Sequence, residues 1–380
     1  MILMSSLEEK LREVIKHLES NPGDASAWNT QGVILAQLEK FGDALRSLNQ
    51  AIKLDSTLAA AYTNRGRVLL ALGKDKAPEA LKSFNRALQL NPTDLDALKD
   101  SAVALRALGK GVEELACLKT IVTISKDDWR PWLRIGDIQL ESGRFKGAVK
   151  SFKRVLEIDE KNVPALLHQS IALSMLDQWK DAVKSAEAAC KLAPDNIETW
   201  RVLADANLRA EKYKSAMKAL KKAASLDPTD ADIENTMGMV EYRSGRLRDA
   251  AKHFNRATIR NKKHARGFRN LGFIYMELEE WSKAIDAWER FTSLVRNDPD
   301  SFDALATAYA RLDDFCGATE AWEKSRKLYK KKGDTKESSR VTNLGRAARV
   351  NCSRQKKAAK AQKEHDKATR SFDDRRRKRR

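Results

Sequence analysis

The sequence is poor in the residues that punctuate β structure. Seventeen Gly and eight Pro in 380 residues are too few for a collagen-like chain or for an all-β fold built on tight turns. Cysteine is scarce too: four residues, none in a paired motif, which argues against a disulfide-stapled scaffold and fits a reducing compartment. No apolar run approaches the roughly 18–20 residues that span a bilayer. Residues 1–10 show no basic segment leading into an apolar one, so no secretory leader is expected. A cytoplasmic protein is the expectation. What the chain does have is 42% apolar residues, enough to fill a core, and an excess of positive charge, 72 Lys+Arg against 53 Asp+Glu.

That charge is unevenly placed. Residues 330–380 hold 20 basic and 6 acidic residues, a net +14, whereas the other 329 carry only +5. The last eight residues read Asp373-Asp-Arg-Arg-Arg-Lys-Arg-Arg380. Such asymmetry marks a terminal segment with electrostatics of its own.

The body repeats itself. Trp28-Asn-Thr-Gln-Gly32 returns 34 residues later as Tyr62-Thr-Asn-Arg-Gly66, then as Trp132-Leu-Arg-Ile-Gly136, Trp200-Arg-Val-Leu-Ala204 and Phe268-Arg-Asn-Leu-Gly272. Cut at this period, with a two-residue insertion near 75–78, residues 25–332 form nine repeats starting at 25, 59, 95, 129, 163, 197, 231, 265 and 299. The fourth position is bulky in all but one, where Glu234 stands. The eighth is always small. The twentieth is Ala in all but the third repeat, which has Glu114. Each repeat holds two apolar patterns of helical period separated by a short polar break, and a bulky residue after the break (Phe41, Phe145, Trp179, Tyr213, Trp281, Phe315) can plug the joint. Asp24, Asp94 and Asp230 sit where they can cap first helices. One such hairpin cannot bury its apolar face alone, but stacked neighbours can. The third repeat, with Ser101, Glu114 and Gly109-Lys-Gly111 at its break, departs most and is expected to be the loosest or most bent.

These columns resemble the tetratricopeptide repeat: a bulky residue, a small one four on, a later Ala-x3-Phe pair (Ala80/Phe84, Ala148/Phe152, Ala250/Phe254) and a closing Pro (Pro92, Pro194, Pro228). The resemblance implies an all-α, right-handed α-solenoid of about nine helix-turn-helix units. Around it we expect an N-terminal half-repeat over 1–24, a C-terminal capping helix over 333–351 with Val341, Leu344 and Ala348 on one face, and a basic tail over 352–380, disordered or a single helix.

Catalytic chemistry is sought and not found. The five histidines share no column: His17 and His365 lie outside the repeats, and His168, His253 and His264 sit at different positions within them; there is no His-Glu-x-x-His, Cys-x-x-Cys or Gly-x-Ser-x-Gly. Gly66 to Asp75 looks like a phosphate loop, but it has six residues between its glycines rather than four, and Asp follows the Lys. Cys117, Cys190 and Cys316 fall in second helices and read as buried small apolar residues. No cofactor, no metal and no enzymatic activity are expected.

Surface remains. In the resembled family the first helices line a concave wall that binds peptides. Here that wall holds Asn64 and Arg67 early in the chain, and Arg201, Arg209, Asn235, Arg243, Arg266, Arg269, Asn270, Phe273 and Arg311 later. Guanidinium groups beside Asn and Phe suit a carboxylate-bearing or extended segment. Of the positions with which some relatives clamp the acidic C-terminus of chaperones, only Asn64 matches, and Asp96 and Asp100 would repel that ligand. The tail cations, Lys356, Lys357, Lys360 and Arg375, Arg376, Arg377, Lys378, Arg379 and Arg380, leave three readings open: an inert solvated run, a nucleic-acid or ribosome contact without sequence preference, or a lipid or targeting contact that includes nuclear import in a eukaryote. The main reading is a non-catalytic protein-interaction scaffold. The alternative is an RNA- or ribosome-associated adaptor that binds nucleic acid through the tail.

Overall fold

The computed structural model describes residues 2–377, with side chains over 6–367. Among the described residues it is all-α. Helix α1 (Ile2–Ser20) precedes five hairpins: α2 (Ala25–Gln37) with α3 (Phe41–Leu54), α4 (Ala59–Ala71) with α5 (Ala77–Leu90), α6 (Leu95–Ala107) with α7 (Gly111–Ile124), α8 (Trp129–Glu141) with α9 (Phe145–Ile158), and α10 (Val163–Ser174) with α11 (Trp179–Leu192). Four more follow: α12 (Ile197–Arg209) with α13 (Tyr213–Leu226), α14 (Ala231–Arg243) with α15 (Leu247–Arg260), α16 (Ala265–Glu277) with α17 (Trp281–Leu294), and α18 (Pro299–Arg311) with α19 (Phe315–Lys332). Helix α20 (Thr335–Arg377) closes the described chain. Each first helix begins at a repeat boundary read from the sequence. A 3-10 turn, Lys74–Lys76, absorbs the two-residue insertion. The chain forms two compact bodies, Met1–Ala193 and Pro194–Arg380. Within each, consecutive helices pack on one another in chain order, the arrangement of a helical-hairpin solenoid.

The repeated spacing has a steric cause. A Cβ on Gly66 would lie 2.4 Å from the Phe84 ring, one on Gly136 2.4 Å from Phe152, and one on Gly272 2.5 Å from Trp288. The small eighth residue therefore makes room for the aromatic at the twenty-fourth position of its own hairpin. Burying each such ring contributes about 2–3 kcal/mol, and Phe84, Phe152 and Phe254 are at most 1% exposed. The joints are equally regular. Glu39, Gly109, Gly143, Asp177, Glu211, Gly245, Glu279 and Asp313 all have positive φ near 60–80°. This left-handed residue lets the next amide bond back into the helix, as in Lys40 N–H to the Leu35 carbonyl at 2.9 Å and Lys212 N–H to Asn207 at 2.8 Å. Asp24, Asp94 and Asp230 cap α2, α6 and α14 by accepting backbone amides. The third hairpin, expected to be the loosest, has the same 13- and 14-residue helices as its neighbours.

Two expectations change at the C-terminal end. Helix α20 runs through 351 without a break, so cap and tail are one element. Its docked face is Val341, Gly345, Ala348 and Cys352 rather than the stripe through Leu344, which is 38% exposed. Residues 341, 345, 348 and 352 lie within about 60° of one another around the helix, and Leu344 falls outside that arc. Cys316 is not a free buried thiol: it is bonded to Cys352, because the docked stripe of α20 passes over the start of α19. That pairing departs from the all-reduced chain expected from the cysteine count. Cys117 is half-buried and Cys190 is buried.

Candidate functional site

The wall of first helices contains the residues the sequence singled out, and most are already engaged. Asn64 of α4 donates Nδ2–H to Asn29 Oδ1 of α2 at 2.9 Å. Asn270 of α16 makes the same bond to Asn235 of α14 at 2.8 Å. Both pairs are 35 residues apart, joining the sixth position of one repeat to the fifth of the repeat before. Arg67 pairs with Asp100 at 2.5 Å and with Asp96 at 2.9 Å. Burial would lower its pKa, and these two hydrogen-bonded carboxylates more than reverse that. The Asp96 and Asp100 that oppose an acidic ligand are thus neutralised from α4. Arg201 lies 3.8 Å from Asp230, and Arg209 bonds Asp205 at 2.8 Å. Arg243 is exposed.

A second cluster is built on α16. Phe273 is 46% exposed, yet its ring is fixed edge-on against Trp288 at 4.8 Å. The Arg269 guanidinium lies over its face at 5.7 Å. Arg266, its side chain 82% exposed, reaches Asp232 at 3.9 Å. Arg311 lies over Trp281 at 5.4 Å, apart from that group. Sequence reasoning therefore named residues of two kinds: inter-repeat ties (Asn64, Arg67, Asn235, Asn270) and solvent-facing groups (Arg266, Arg269, Phe273).

It missed a third feature, at the third and fourth repeats. Glu114, in the column otherwise reserved for Ala, is 1% exposed. Arg134 of α8 grips it with two bonds, 2.7 and 2.8 Å, and Arg106 of α6 adds one of 3.0 Å. Burial raises the Glu114 pKa, but these guanidiniums outweigh it and leave the carboxyl below its ordinary value. A parallel group surrounds Glu234, the exception in the bulky column, which accepts from His253 at 2.7 Å and Arg260 at 2.8 Å. The signal was legible: a carboxylate in an apolar column needs a cation nearby, and Arg134 holds a wall position one repeat on. Trp28 and Trp200 donate Nε1–H to the Pro22 and Pro194 carbonyls, whereas Trp132 keeps a buried Nε1–H with no partner among the described residues. Burial pushes the Cys117 thiol up, away from the reactive thiolate.

On α20, Lys356, Lys357 and Lys360 are exposed, as is every described side chain from 353 to 367. The side chains of Arg375, Arg376 and Arg377, and all of Lys378, Arg379 and Arg380, lie outside the described residues. Among the described residues no helix is long and apolar enough to cross a membrane, and no group of three or more His, Cys, Asp or Glu is placed to hold a metal ion.

Comparison with known proteins gives the family. Residues 118–344 match the family described as the cilia and flagella-associated protein 70 C-terminal domain, and residues 32–73 match a tetratricopeptide repeat. Among solved structures, yeast Tom70 is 15% identical and the match covers 91% of this chain and 86% of that one, with a TM-score of 0.49. MamA from Desulfovibrio magneticus RS-1 is 23% identical over 45% of this chain and 96% of that one, with a TM-score of 0.43. YrrB, described as a tetratricopeptide protein with an unusual peptide-binding site, is 23% identical over 52% and 97%, with a TM-score of 0.45. Comparison with curated proteins yields no match. The chain belongs to the tetratricopeptide-repeat proteins, in the family of the cilia and flagella-associated protein 70 C-terminal domain.

Proposed function

We propose that the protein is a non-catalytic scaffold that holds an extended segment of a partner protein against the α16 surface. The tetratricopeptide fold is that of a protein-interaction scaffold, and families of this kind are generally non-enzymatic. The observation that carries the reading is Phe273, an apolar ring left half in solvent while Trp288 holds its edge and Arg269 covers its face. A rigid aromatic with a guanidinium beside it is the usual make-up of an anchoring contact, because little side-chain freedom is lost on binding. Asn270, tied to Asn235, supports α16 from α14 rather than contacting the ligand. The family match over residues 118–344 supports placing this scaffold in a ciliary or flagellar assembly.

The second reading, polyanion binding by the tail, is favoured by one observation: the outer part of α20 presents Lys356, Lys357, Lys360, Lys363 and Lys367 on exposed surface. Affinity purification separates the two. The scaffold reading expects partner proteins that survive nuclease and are lost from the Arg269→Ala/Phe273→Ala chain. Recovery that is abolished by nuclease and by Lys356→Glu/Lys357→Glu/Lys360→Glu, and indifferent to the α16 substitutions, overturns it in favour of the second.

A further inference from the structure

The groove between α19 and α20 holds a cluster that the scaffold reading leaves unused. It is a cleft of about 270 Å³ lined by Arg326 of α19 and by Arg346 and Arg349 of α20, with Glu323 of α19 beside them. Trp322 and Val341 close it from beneath, 6% and 1% exposed. The cleft does not belong to the wall of first helices. Arg340 ties α20 to Asp303, the fifth residue of the last repeat. Arg349, nine residues on, lies about 180° around the helix from Arg340.

The charges in this cleft do not balance. Arg326 takes both oxygens of Glu323, at 2.6 and 3.1 Å through Nη2 and Nε. Arg349 stands 4.0 Å from the same carboxylate, and Lys327 stands 3.9 Å from it. Arg346, exposed, has no hydrogen bond or ion pair among the described residues. The nearby carboxylates are spent elsewhere. Asp303 and Glu337 are both held by Arg340, and Glu320 lines a separate groove against α17 and α18. Three lining guanidiniums therefore meet one lining carboxylate, Glu323. Arg346 and Arg349 also sit on successive turns of one helix, where like charges repel.

We propose that this cleft binds a phosphate group, free or as a monoester, held by Arg346 and Arg349 from α20 and by the Nη1 of Arg326 that Glu323 leaves open. Guanidinium forks match phosphate oxygens, and a phosphate near neutral pH carries close to the two negative charges that offset the surplus. A carboxylate would offset half of it. The Thr319 and Thr342 hydroxyls in the lining donate to the Phe315 and Ser338 carbonyls, so recognition falls to the guanidiniums. The two walls are already set. Arg340 fixes α20 before the cleft, and the bond from Cys352 to Cys316 fixes it after, so the helices lose little freedom when the anion enters. This goes beyond the α16 reading and uses none of its residues, so either can fail alone.

The test titrates the full chain with inorganic phosphate and, separately, with a phosphoserine tripeptide, by isothermal titration calorimetry at constant ionic strength. One saturable site with a Kd below about 1 mM is expected for at least one of the two, and the tighter of them tells a free ion from a phosphorylated side chain. Arg346→Gln/Arg349→Gln should weaken binding about tenfold or more. Both side chains are exposed and make no hydrogen bond among the described residues, so this variant should melt at the same temperature as the parent chain. Acetate should bind at least about tenfold more weakly than phosphate, and Lys356→Glu/Lys357→Glu/Lys360→Glu should change the phosphate affinity by less than about twofold. The proposal falls if neither phosphate probe binds below about 1 mM. It falls too if binding ignores the cleft substitutions and follows the tail, or if acetate binds as tightly.

Discussion

Glu114 and Glu234 are the two acidic interruptions of otherwise apolar columns, and they are solved differently. Glu234 is satisfied inside its own hairpin: His253 and Arg260 both come from α15, and Arg260 also donates to the Asp230 carbonyl at the start of α14. Glu114 is satisfied across a boundary, with Arg106 from its own repeat but the bidentate grip from Arg134 of the next. The first arrangement stiffens one hairpin. The second couples two. In a quasi-one-dimensional fold, whose stability is a sum of repeat terms and nearest-neighbour terms, these contribute to different parts of the sum.

The largest expected effect comes from breaking the cross-repeat group. Arg134→Ala leaves a buried carboxylate with one partner and should cost about 3 kcal/mol. Denaturant titration measures the loss, and hydrogen exchange should speed up in α6–α7 and in α8–α9 together. Adding Glu114→Ala, the residue usual to that column, should recover most of it; if it does not, the group is not what couples the repeats. Acid acts in the same direction. The folded-state pKa of Glu114 lies below the ordinary value of 4.5, so its contribution is complete above about 4.5 and is lost as pH falls through the depressed value. Next is His253→Ala, which removes one bond to the Glu234 carboxylate and should cost about 1.5–3 kcal/mol, with faster exchange confined to α14–α15. Acceleration spreading into neighbouring hairpins would erase the contrast. The smallest effect is the control on the ordinary columns: Gly136→Ala forces a methyl onto the Phe152 ring and should cost about 1–3 kcal/mol by overpacking, measured by the same titration.

Much of the architecture was legible because its determinants are local and repeated. Where the eighth residue is Gly, it is small because the twenty-fourth of the same hairpin is large, and the pair recurs at fixed spacing in one chain. The wall was legible as a set of positions but not as a site. Asn64 and Arg67 look like ligand contacts in sequence, yet they are consumed by Asn29, Asp96 and Asp100, because helices one repeat apart face each other. The same fact hid Arg106 and Arg134, whose shared grip on Glu114 appears only when neighbouring helices are brought together.

The amino-acid order alone determined the number of hairpins, their boundaries and the placement of small against large side chains, since each is settled by contacts within about 34 residues. The tertiary structure decided what depends on which faces meet: the bond between Cys316 and Cys352, the fusion of cap and tail into one helix, and the choice of which arginines are struts and which face solvent. Charge pairing and side-chain burial between elements depend on distances in space, which no one-dimensional spacing records.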